Sequence, residues 1–226
     1  MRWNDIEWPD SGKRSGPQSL HALFAGYYAA VPEGVVNDRW GATHRDFVTS
    51  EYEHNRHVEG AEPWENNRGI GFSFGYNRAE DESQSMDGRQ IAVHLTDIVS
   101  RGGRLLLDVG PTAEGTIPGV QQRTLEGLGR WMTEAGPVLR ASSPVDPARA
   151  APSDDPWVHW LGVPDQLVAV VDGAGTVPLA VDADAVDVRD VQVLNGSADV
   201  RTDGGRLSAS VTPADDGPCL VRLPLR

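Results

Sequence analysis

The chain of 226 residues has one cysteine, one lysine and no long apolar run, and each of these features excludes or disfavours some classes of protein. The lone cysteine, Cys219, cannot form an internal disulfide, so a disulfide scaffold is excluded. Lys13 is the only lysine, and 20 basic residues face 33 acidic ones for a net charge of −13. That balance disfavours nucleic acid and anionic membranes as partners. No apolar run approaches the roughly 18 residues that span a bilayer.

The composition changes along the chain, which predicts two domains. All Phe and Tyr residues lie before residue 80, whereas the last third is rich in Val, Ala, Asp, Gly and Pro. Residues 142–156 contain four prolines and little hydrophobic periodicity, which is typical of a linker or an extended crossing between domains. We therefore expect a first domain over residues 1–141, a linker over 142–156 and a second domain over 157–226.

The first part predicts an α/β arrangement with strands and helices in alternation. Helical spacing of apolar residues predicts three helices, beginning near Leu20, Asp87 and Val120. The second of these starts with Asp87 and Gln90 at capping-box spacing. The expected strands are the opening residues, 35–38, 71–74 and 105–109. This order implies a parallel sheet, in which the strand over 105–109 is buried on both faces. It fits either an open doubly wound sheet or part of a (β/α)8 barrel.

The second part has a strand pattern instead. Short Val-rich runs are separated by Gly, Pro and Asp, and Asp203-Gly204-Gly205 is a strong hairpin signal. We expect an antiparallel β-sandwich. The predicted runs are 157–160, 167–171, 177–181, 186–194, 207–211 and 220–223.

Aromatic residues or carboxylates, often both, stand at the four predicted strand ends, which are 3–5, 37–40, 74–77 and 108–111. Aromatic rings stack on the apolar faces of sugars, and paired carboxylates catalyse glycoside cleavage, so this mixture indicates a carbohydrate site. By itself the signal is weak, because most of the 33 carboxylates must lie on the solvated surface.

A series of collinear strings resembles the family 29 glycoside hydrolases, the α-L-fucosidases. The likeness is dense over about residues 1–140, and beyond them the tail matches only as a β-sandwich. The strings are RWNDIEWP (2–9), PEGVVNDRWG (32–41), DFVTSEY (46–52), WE (64–65), FSFGYN (72–77), GRLLLDVGP (103–111) and GTIP (115–118). The resemblance implies the C-terminal half of a (β/α)8 barrel followed by the sandwich.

The resemblance also implies a retaining exo-glycosidase acting on terminal α-L-fucose. Asp5 matches the nucleophile, which forms a covalent fucosyl-enzyme intermediate. Glu51 matches the acid/base position of the bacterial branch that the sequence resembles most, and Glu65 matches a position with that role elsewhere in the family. Glu51 is favoured, and Glu65 is the alternative.

Three further positions match residues that line the fucose pocket: Trp3, Arg39 and Phe74. The aromatic rings would face the apolar side of the sugar, and Arg39 would bond a hydroxyl or orient a carboxylate. Asp38, Tyr76 and Asn77 are expected either to support the residues that touch the sugar or to play a structural role. No cofactor and no metal are expected, and His54 and His57 are interpreted as loop residues.

The family also holds the sugar with residues from strands that precede the nucleophile motif, whereas here Asp5 is the fifth residue. We therefore expect a missing N-terminal half-barrel and no activity from this chain alone. Two alternatives stay open: a non-catalytic carbohydrate-binding fragment, and a retaining glycosidase for another sugar. The expected partner is a fucosylated glycan, with no nucleic acid and no membrane. Localisation stays open between cytoplasm and secretion.

Overall fold

The structure, a computed structural model, describes residues 1–5, 7–9, 13–52 and 62–226. The chain divides into two compact units, Met1–Asn67 and Arg68–Arg226. No helix among the described residues is long and apolar enough to cross a membrane.

In the part of the first unit that the structure describes, one α-helix accompanies two short parallel strands. Helix α1, Leu20–Ala30, is capped by the Ser19 hydroxyl, which accepts the Ala22 N–H at 3.1 Å. Strand β1 is Val48–Glu51. Strand β2, Trp64–Gly69, lies parallel to it, and its last two residues belong to the second unit.

The small apolar core of the first unit gathers around α1. Leu20, Phe24, Val36 and Trp40 are buried together. Trp40 meets the Phe24 ring edge-on at 5.4 Å. It also stacks on Trp8 at 5.7 Å. These aromatic contacts fix residues 36–40 against the helix, and the candidate catalytic residues lie beside that segment.

The second unit begins with two helices flanking a strand: α2, Gly88–Ser100; β3, Gly103–Asp108; and α3, Gly119–Ala141. The capping box of Asp87 and Gln90 is confirmed, since each side chain bonds the other residue's backbone N–H at 2.8 Å. Gly102 follows α2 with a φ of +80°, a conformation that favours glycine. All three predicted helices are therefore confirmed.

The rest of the second unit is an antiparallel β-sandwich, as the sequence predicts. One sheet has the order β10-β11-β8, and the other has β4-β6-β7-β12-β9 with β5 also paired to β6. The Asp203–Arg206 hairpin is confirmed, with positive φ at both Gly204 and Gly205. The strands are β4 Ser143–Pro144, β5 Ser153–Asp154, β6 Trp157–Val163, β7 Gln166–Asp172, β8 Gly175–Leu179, β9 Gln192–Leu194, β10 Gly196–Asp203, β11 Arg206–Pro213 and β12 Cys219–Pro224.

Two apolar cores hold the second unit together. One lies between the two sheets and includes Cys219, a buried free thiol. The other joins α2 and α3 to the outer face of the larger sheet, with Trp131 and Leu161 fully buried in it. The helix pair and the sandwich therefore share one hydrophobic core.

Several expected strands were wrong. Residues 71–74 form bends, and Phe72 is 73% exposed. The opening residues and 35–38 are reduced to a single parallel bridge between Arg2 and Val36. The run 186–194 is a strand only at its end, in β9. Within β3, Leu106 is 38% exposed, so that strand is not buried on both faces.

The expected linker over 142–156 also differs from the structure. Its strands β4 and β5 pair with β6, and Ala150 is buried in the sandwich core. Backbone pairing and burial together tie these residues to the sandwich. The division into a barrel part over 1–141 and a sandwich over 157–226 stays a prediction.

Candidate active site

Asp5 is positioned by a reciprocal pair of hydrogen bonds between its neighbour Asn4 and the buried Asn37. The Asn4 N–H donates to Asn37 Oδ1 at 3.1 Å, and Asn37 Nδ2 donates to the Asn4 carbonyl at 2.8 Å. Trp40 Nε1 adds a donor to the same Asn37 Oδ1 at 2.9 Å. These bonds fix the chain around Asp5, while the Asp5 side chain itself stays 87% exposed.

Arg39 brings three of the sequence-predicted residues together. Its Nη1 lies 2.5 Å from the Asp5 carbonyl and 3.8 Å from Asp5 Oδ1. Its Nη2 donates to Glu51 Oε1. The guanidinium carbon lies 5.5 Å from the centre of the Trp3 ring, within cation–π range. One cation therefore links the candidate nucleophile, the favoured acid/base and an aromatic ring.

Arg39 is held by a second pair of residues. Asp38 accepts both the hydroxyl of Thr49, at 2.8 Å, and its backbone N–H, at 3.2 Å. The Thr49 hydroxyl oxygen in turn accepts Arg39 Nε at 3.3 Å. Because Thr49 is only 7% exposed, this chain of contacts lies in a protected environment. Asp38 therefore positions Arg39 through Thr49.

Glu51 and Glu65 lie on the same face of the β1–β2 pair. Glu65 is in register with Thr49, and Glu51 is in register with Asn67. Since side chains alternate along a strand, Thr49 and Glu51 share a face with Glu65. Glu51 lies two residues further toward the carboxyl end of the pair, where it contacts Arg39.

A third network fixes the segment that leads into Arg39. Asp46 Oδ2 accepts the Val36 N–H at 2.8 Å and the Tyr28 hydroxyl at 2.5 Å, while Oδ1 lies 3.3 Å from His44 Nε2. Burial opposes ionisation of Asp46, but the Tyr28 and Val36 hydrogen bonds outweigh it and lower the Asp46 pKa. Burial and the Asp46 hydrogen bond raise the pKa of Tyr28.

Phe74 belongs to the second unit, in an aromatic segment after β2. It is 40% exposed, and Phe72 and Tyr76 are exposed as well. The segment lies against Gly110, because a Cβ there would come within 2.5 Å of the Gly75 backbone. Gly110 is held by its N–H bond to Gln121 Oε1 at 2.9 Å.

The sequence reasoning missed Asn4, Asn37 and Thr49, whereas Asp38 was expected either to support the sugar-binding residues or to be structural. The sequence could have indicated Thr49, because it precedes Glu51 by two residues and therefore lies on the same face of a strand. Among the described residues, no cluster of His, Cys, Asp or Glu could hold a metal ion. His54 and His57 lie outside those residues.

The chain matches known proteins over both of its parts. A family model of α-L-fucosidases matches residues 1–137. The α-L-fucosidase of Dictyostelium discoideum is 36% identical over 114 residues, which are 49% of this chain and 25% of that protein. Human tissue α-L-fucosidase is 30% identical over 147 residues, 63% of this chain and 32% of that protein.

Solved structures extend the likeness through the sandwich. Thermotoga maritima α-fucosidase in complex with fucose has a TM-score of 0.77 and 31% identity, covering 98% of this chain and 51% of its own. Another solved α-L-fucosidase has a TM-score of 0.81 and 33% identity, covering 99% and 51%. The chain therefore spans about half of these solved chains, and 25–32% of the two curated relatives. On the match over residues 1–137, the chain belongs to the α-L-fucosidase family.

Proposed function

We propose that this protein is a retaining exo-α-L-fucosidase that acts on fucosylated glycans, with Asp5 as nucleophile and Glu51 as acid/base. The observation that carries the proposal is the contact of one guanidinium, that of Arg39, with both carboxylates. A retaining mechanism needs two carboxylates on one site, one that attacks and one that exchanges a proton.

The proposed reaction has two steps. An Asp5 carboxylate oxygen bonds to the anomeric carbon while the glycosidic C–O bond breaks, and Glu51 gives its proton to the leaving oxygen. Glu51 then takes a proton from water, whose oxygen bonds to the anomeric carbon as the Asp5 ester breaks. The enzyme regains both carboxyl groups in their starting states.

Three residues are proposed to hold the sugar. The half-buried Trp3 ring and Phe74 offer apolar surface to the ring and methyl group of fucose. Arg39 presents a planar guanidinium that can donate to a hydroxyl while it orients the two carboxylates. Fucose is the ligand named for the Thermotoga maritima structure, which supports this choice of sugar.

Glu51 is proposed over Glu65 because of its contact with Arg39 and its place at the end of β1. Loss of the acid/base should slow fucosides with poor leaving groups far more than activated aryl fucosides, since protonation matters most when the leaving group is basic. We expect this pattern from Glu51→Ala. If Glu65→Ala shows the pattern instead, the assignment is reversed.

We also propose that residues 1–141 form the C-terminal half of a (β/α)8 barrel and need an N-terminal half-barrel for turnover. The chain spans about half of the solved fucosidases that it matches. The 87% exposure of the Asp5 side chain supports this too, because covalent catalysis needs a sugar that is held in position. We therefore expect little or no turnover from the 226 residues alone.

The deciding experiment compares Asp5→Gly with the parent, each expressed alone and together with any in-frame upstream coding sequence. With p-nitrophenyl α-L-fucoside, the longer parent should turn over and its Asp5→Gly variant should lose several orders of magnitude in kcat. Azide should partly restore reaction and give a fucosyl azide of inverted configuration.

The matched control is Glu7→Gln. The Glu7 Oε1 atom accepts the Gly41 N–H at 2.6 Å, and Gln keeps that acceptor. Its activity should stay near the parent value. Hydrolysis of another p-nitrophenyl glycoside instead would identify a different glycosidase. Binding without turnover by the longer product would identify a carbohydrate-binding protein. Equal turnover by the short parent would refute the need for a half-barrel.

A further inference from the structure

Three grooves on the second unit differ in their charged residues. The first contains Glu82, Asp87 and Arg123, and the arginine pairs with Glu82. The second, on the sandwich, contains Arg149 and Arg206 with Asp182. The third, between α2, β3 and α3, contains two arginines and no acidic residue among its described lining residues. We call this third one the two-arginine groove, after Arg104 and Arg140.

The two-arginine groove has an apolar floor. Leu95 and Val99 come from α2, Leu105 from β3, and Met132 and Leu139 from α3. Its volume is about 550 Å³, which falls within the range of small-molecule sites. Pro144, which also lines the groove, packs against Gly102, since a Cβ on Gly102 would lie 3.1 Å from its ring.

The two arginines of this groove have unused donors. Within the part of the chain that the structure describes, neither guanidinium makes an ion pair or a hydrogen bond. Nearby arginines do, as in the pair of Arg101 with Asp97 on α2. Arg140 stands in the last turn of α3, where a cation complements the helix dipole, but Arg104 lies on a strand.

Arg149 and Arg206 of the second groove also make no side-chain ion pair or hydrogen bond among the described residues, but they share that groove with Asp182. The two-arginine groove has no acidic lining residue among those described. A carboxylate is the group that a guanidinium recognises best, through two parallel N–H···O bonds. An apolar floor beneath such a pair suits a ligand with one charged end and one hydrophobic end.

We propose that the two-arginine groove binds a small carboxylic acid with an apolar body. The carboxylate lies between Arg104 and Arg140, and the apolar body covers Leu95, Val99 and Met132. This site is independent of the proposed fucosidase chemistry and uses none of its residues.

The test is calorimetric titration of the 226-residue chain with octanoate at low ionic strength. Hexanoate, which lacks two of the methylenes of octanoate, should bind about fifteenfold more weakly if the alkyl chain of the ligand is buried in the groove. Octanol should bind more weakly than octanoate, because it lacks the charge. Since the arginines are exposed, each of Arg104→Gln and Arg140→Gln should weaken octanoate binding by about fivefold.

The matched control is Arg149→Gln, which removes an arginine from the sandwich groove and should leave octanoate binding unchanged. Thermal unfolding of each variant tests whether the arginine only stabilises the fold. If Arg140→Gln lowers Tm without changing the octanoate affinity, the groove is not a ligand site. Equal binding of octanol and octanoate, an equal effect of Arg149→Gln, or no octanoate binding would each overturn the proposal.

Discussion

The two units of the molecule are held together by different forces. Among its described residues, the first unit has one apolar cluster of four buried residues, and side chains with polar groups fix much of its backbone. The second has two larger apolar cores, which pack sheet on sheet and helices on a sheet. The unit with most of the candidate catalytic residues is therefore the one that depends most on hydrogen bonds.

This difference has a physical reason. Hydrophobic packing is not directional, so it fixes an element without fixing the angle of a particular side chain. Catalytic groups need defined orientations, and side chain to backbone bonds such as those of Asn37 and Asp38 supply them. Such a frame is sensitive to the loss of a single partner, because a buried polar group left unpaired costs about 1–3 kcal/mol.

The largest effect on stability should come from Trp131→Ala in the second unit. Trp131 is 1% exposed, and its Nε1 donates to the Pro218 carbonyl at 2.9 Å. Deleting the ring should lower the free energy of unfolding by about 3–5 kcal/mol. Chemical labelling of the Cys219 thiol can measure this loss of stability, because the thiol is fully buried and burial raises its pKa to about 11.

Labelling of Cys219 by a thiol reagent should therefore be slow in the parent and accelerate by about a hundredfold or more in Trp131→Ala. The control is Trp131→Phe, which keeps an aromatic ring and lacks the indole N–H. Its labelling rate should lie between the other two. Equal rates for parent and Trp131→Ala would show that this core does not govern opening around Cys219.

A smaller loss is expected from Asp46→Ala in the first unit. The variant leaves the buried Val36 N–H and the Tyr28 hydroxyl without their acceptor. The expected cost is about 1–3 kcal/mol. Hydrogen exchange at the Val36 amide measures it directly, and protection there should fall.

Asp46→Asn is the informative companion variant. It keeps one carbonyl oxygen as an acceptor and loses the charge that faces His44. Its exchange at Val36 should be intermediate. If Asp46→Ala exchanges no faster than the parent, the apolar cluster of Phe24 and Trp40 holds this segment without the carboxylate.

Acid should weaken the two units in different pH ranges. In the second, burial lowers the pKa of His159, Arg101 acts in the same direction, and Asp97 and Asp154 oppose them. A lowered folded pKa means that the unfolded state binds more protons, so stability falls as pH drops below the ordinary histidine value of about 6.5. The pKa of Asp46 is also lowered in the folded state, so the first unit loses the stability that this carboxylate contributes only below about pH 3.9, the ordinary aspartate value.

The variant His159→Phe tests whether His159 causes the loss of stability of the second unit near pH 6. The imidazole stacks on Trp157 at 4.3 Å, and Phe keeps that contact while removing the titrating group. Cys219 labelling, corrected for the intrinsic pH dependence of the thiol, should rise between pH 6.5 and 5 in the parent. The variant should not show this rise. An unchanged rise in His159→Phe would assign the effect to another group.

The contrast between the units also explains which features the sequence predicted. The capping box at Asp87 and the hairpin at Gly204 are local signals that depend on a few adjacent residues. The helices and most sandwich strands have apolar residues at regular intervals. Where packing is apolar and structure is local, the pattern of the chain is sufficient.

Strands β1 and β2 escaped prediction because, apart from Trp64, their buried side chains are polar. Asn66 and Asn67 are almost fully buried, and Asn66 donates to the Ser50 hydroxyl at 3.0 Å. The motif likeness suggested Asp5, Arg39 and Glu51, and it left open whether Arg39 bonds a sugar hydroxyl or orients a carboxylate. Their connection through one guanidinium depends on how segments far apart in the chain meet, which hydrophobic periodicity does not encode.

The smallest expected effect tests whether burial also determines how much a polar contact stabilises the second unit. Arg89 and Arg201 each lie 2.6 Å from an aspartate oxygen, in Asp172 and Asp199. The Arg89 pair is 32% and 28% exposed, whereas the Arg201 pair is 76% and 58% exposed. Arg89 also donates to the Ala214 carbonyl at 3.2 Å, which ties α2 to the sandwich.

Arg89→Ala should therefore lower the free energy of unfolding by about 1–2 kcal/mol, since a partly buried charged hydrogen bond is lost. Arg201→Ala should change it by less than about 0.5 kcal/mol, because exposed pairs are screened by water and salt. Urea unfolding monitored by Cys219 labelling measures both. Equal losses would mean that ion-pair distance, rather than burial, governs these contacts, and the contrast between a polar and an apolar unit would then need another cause.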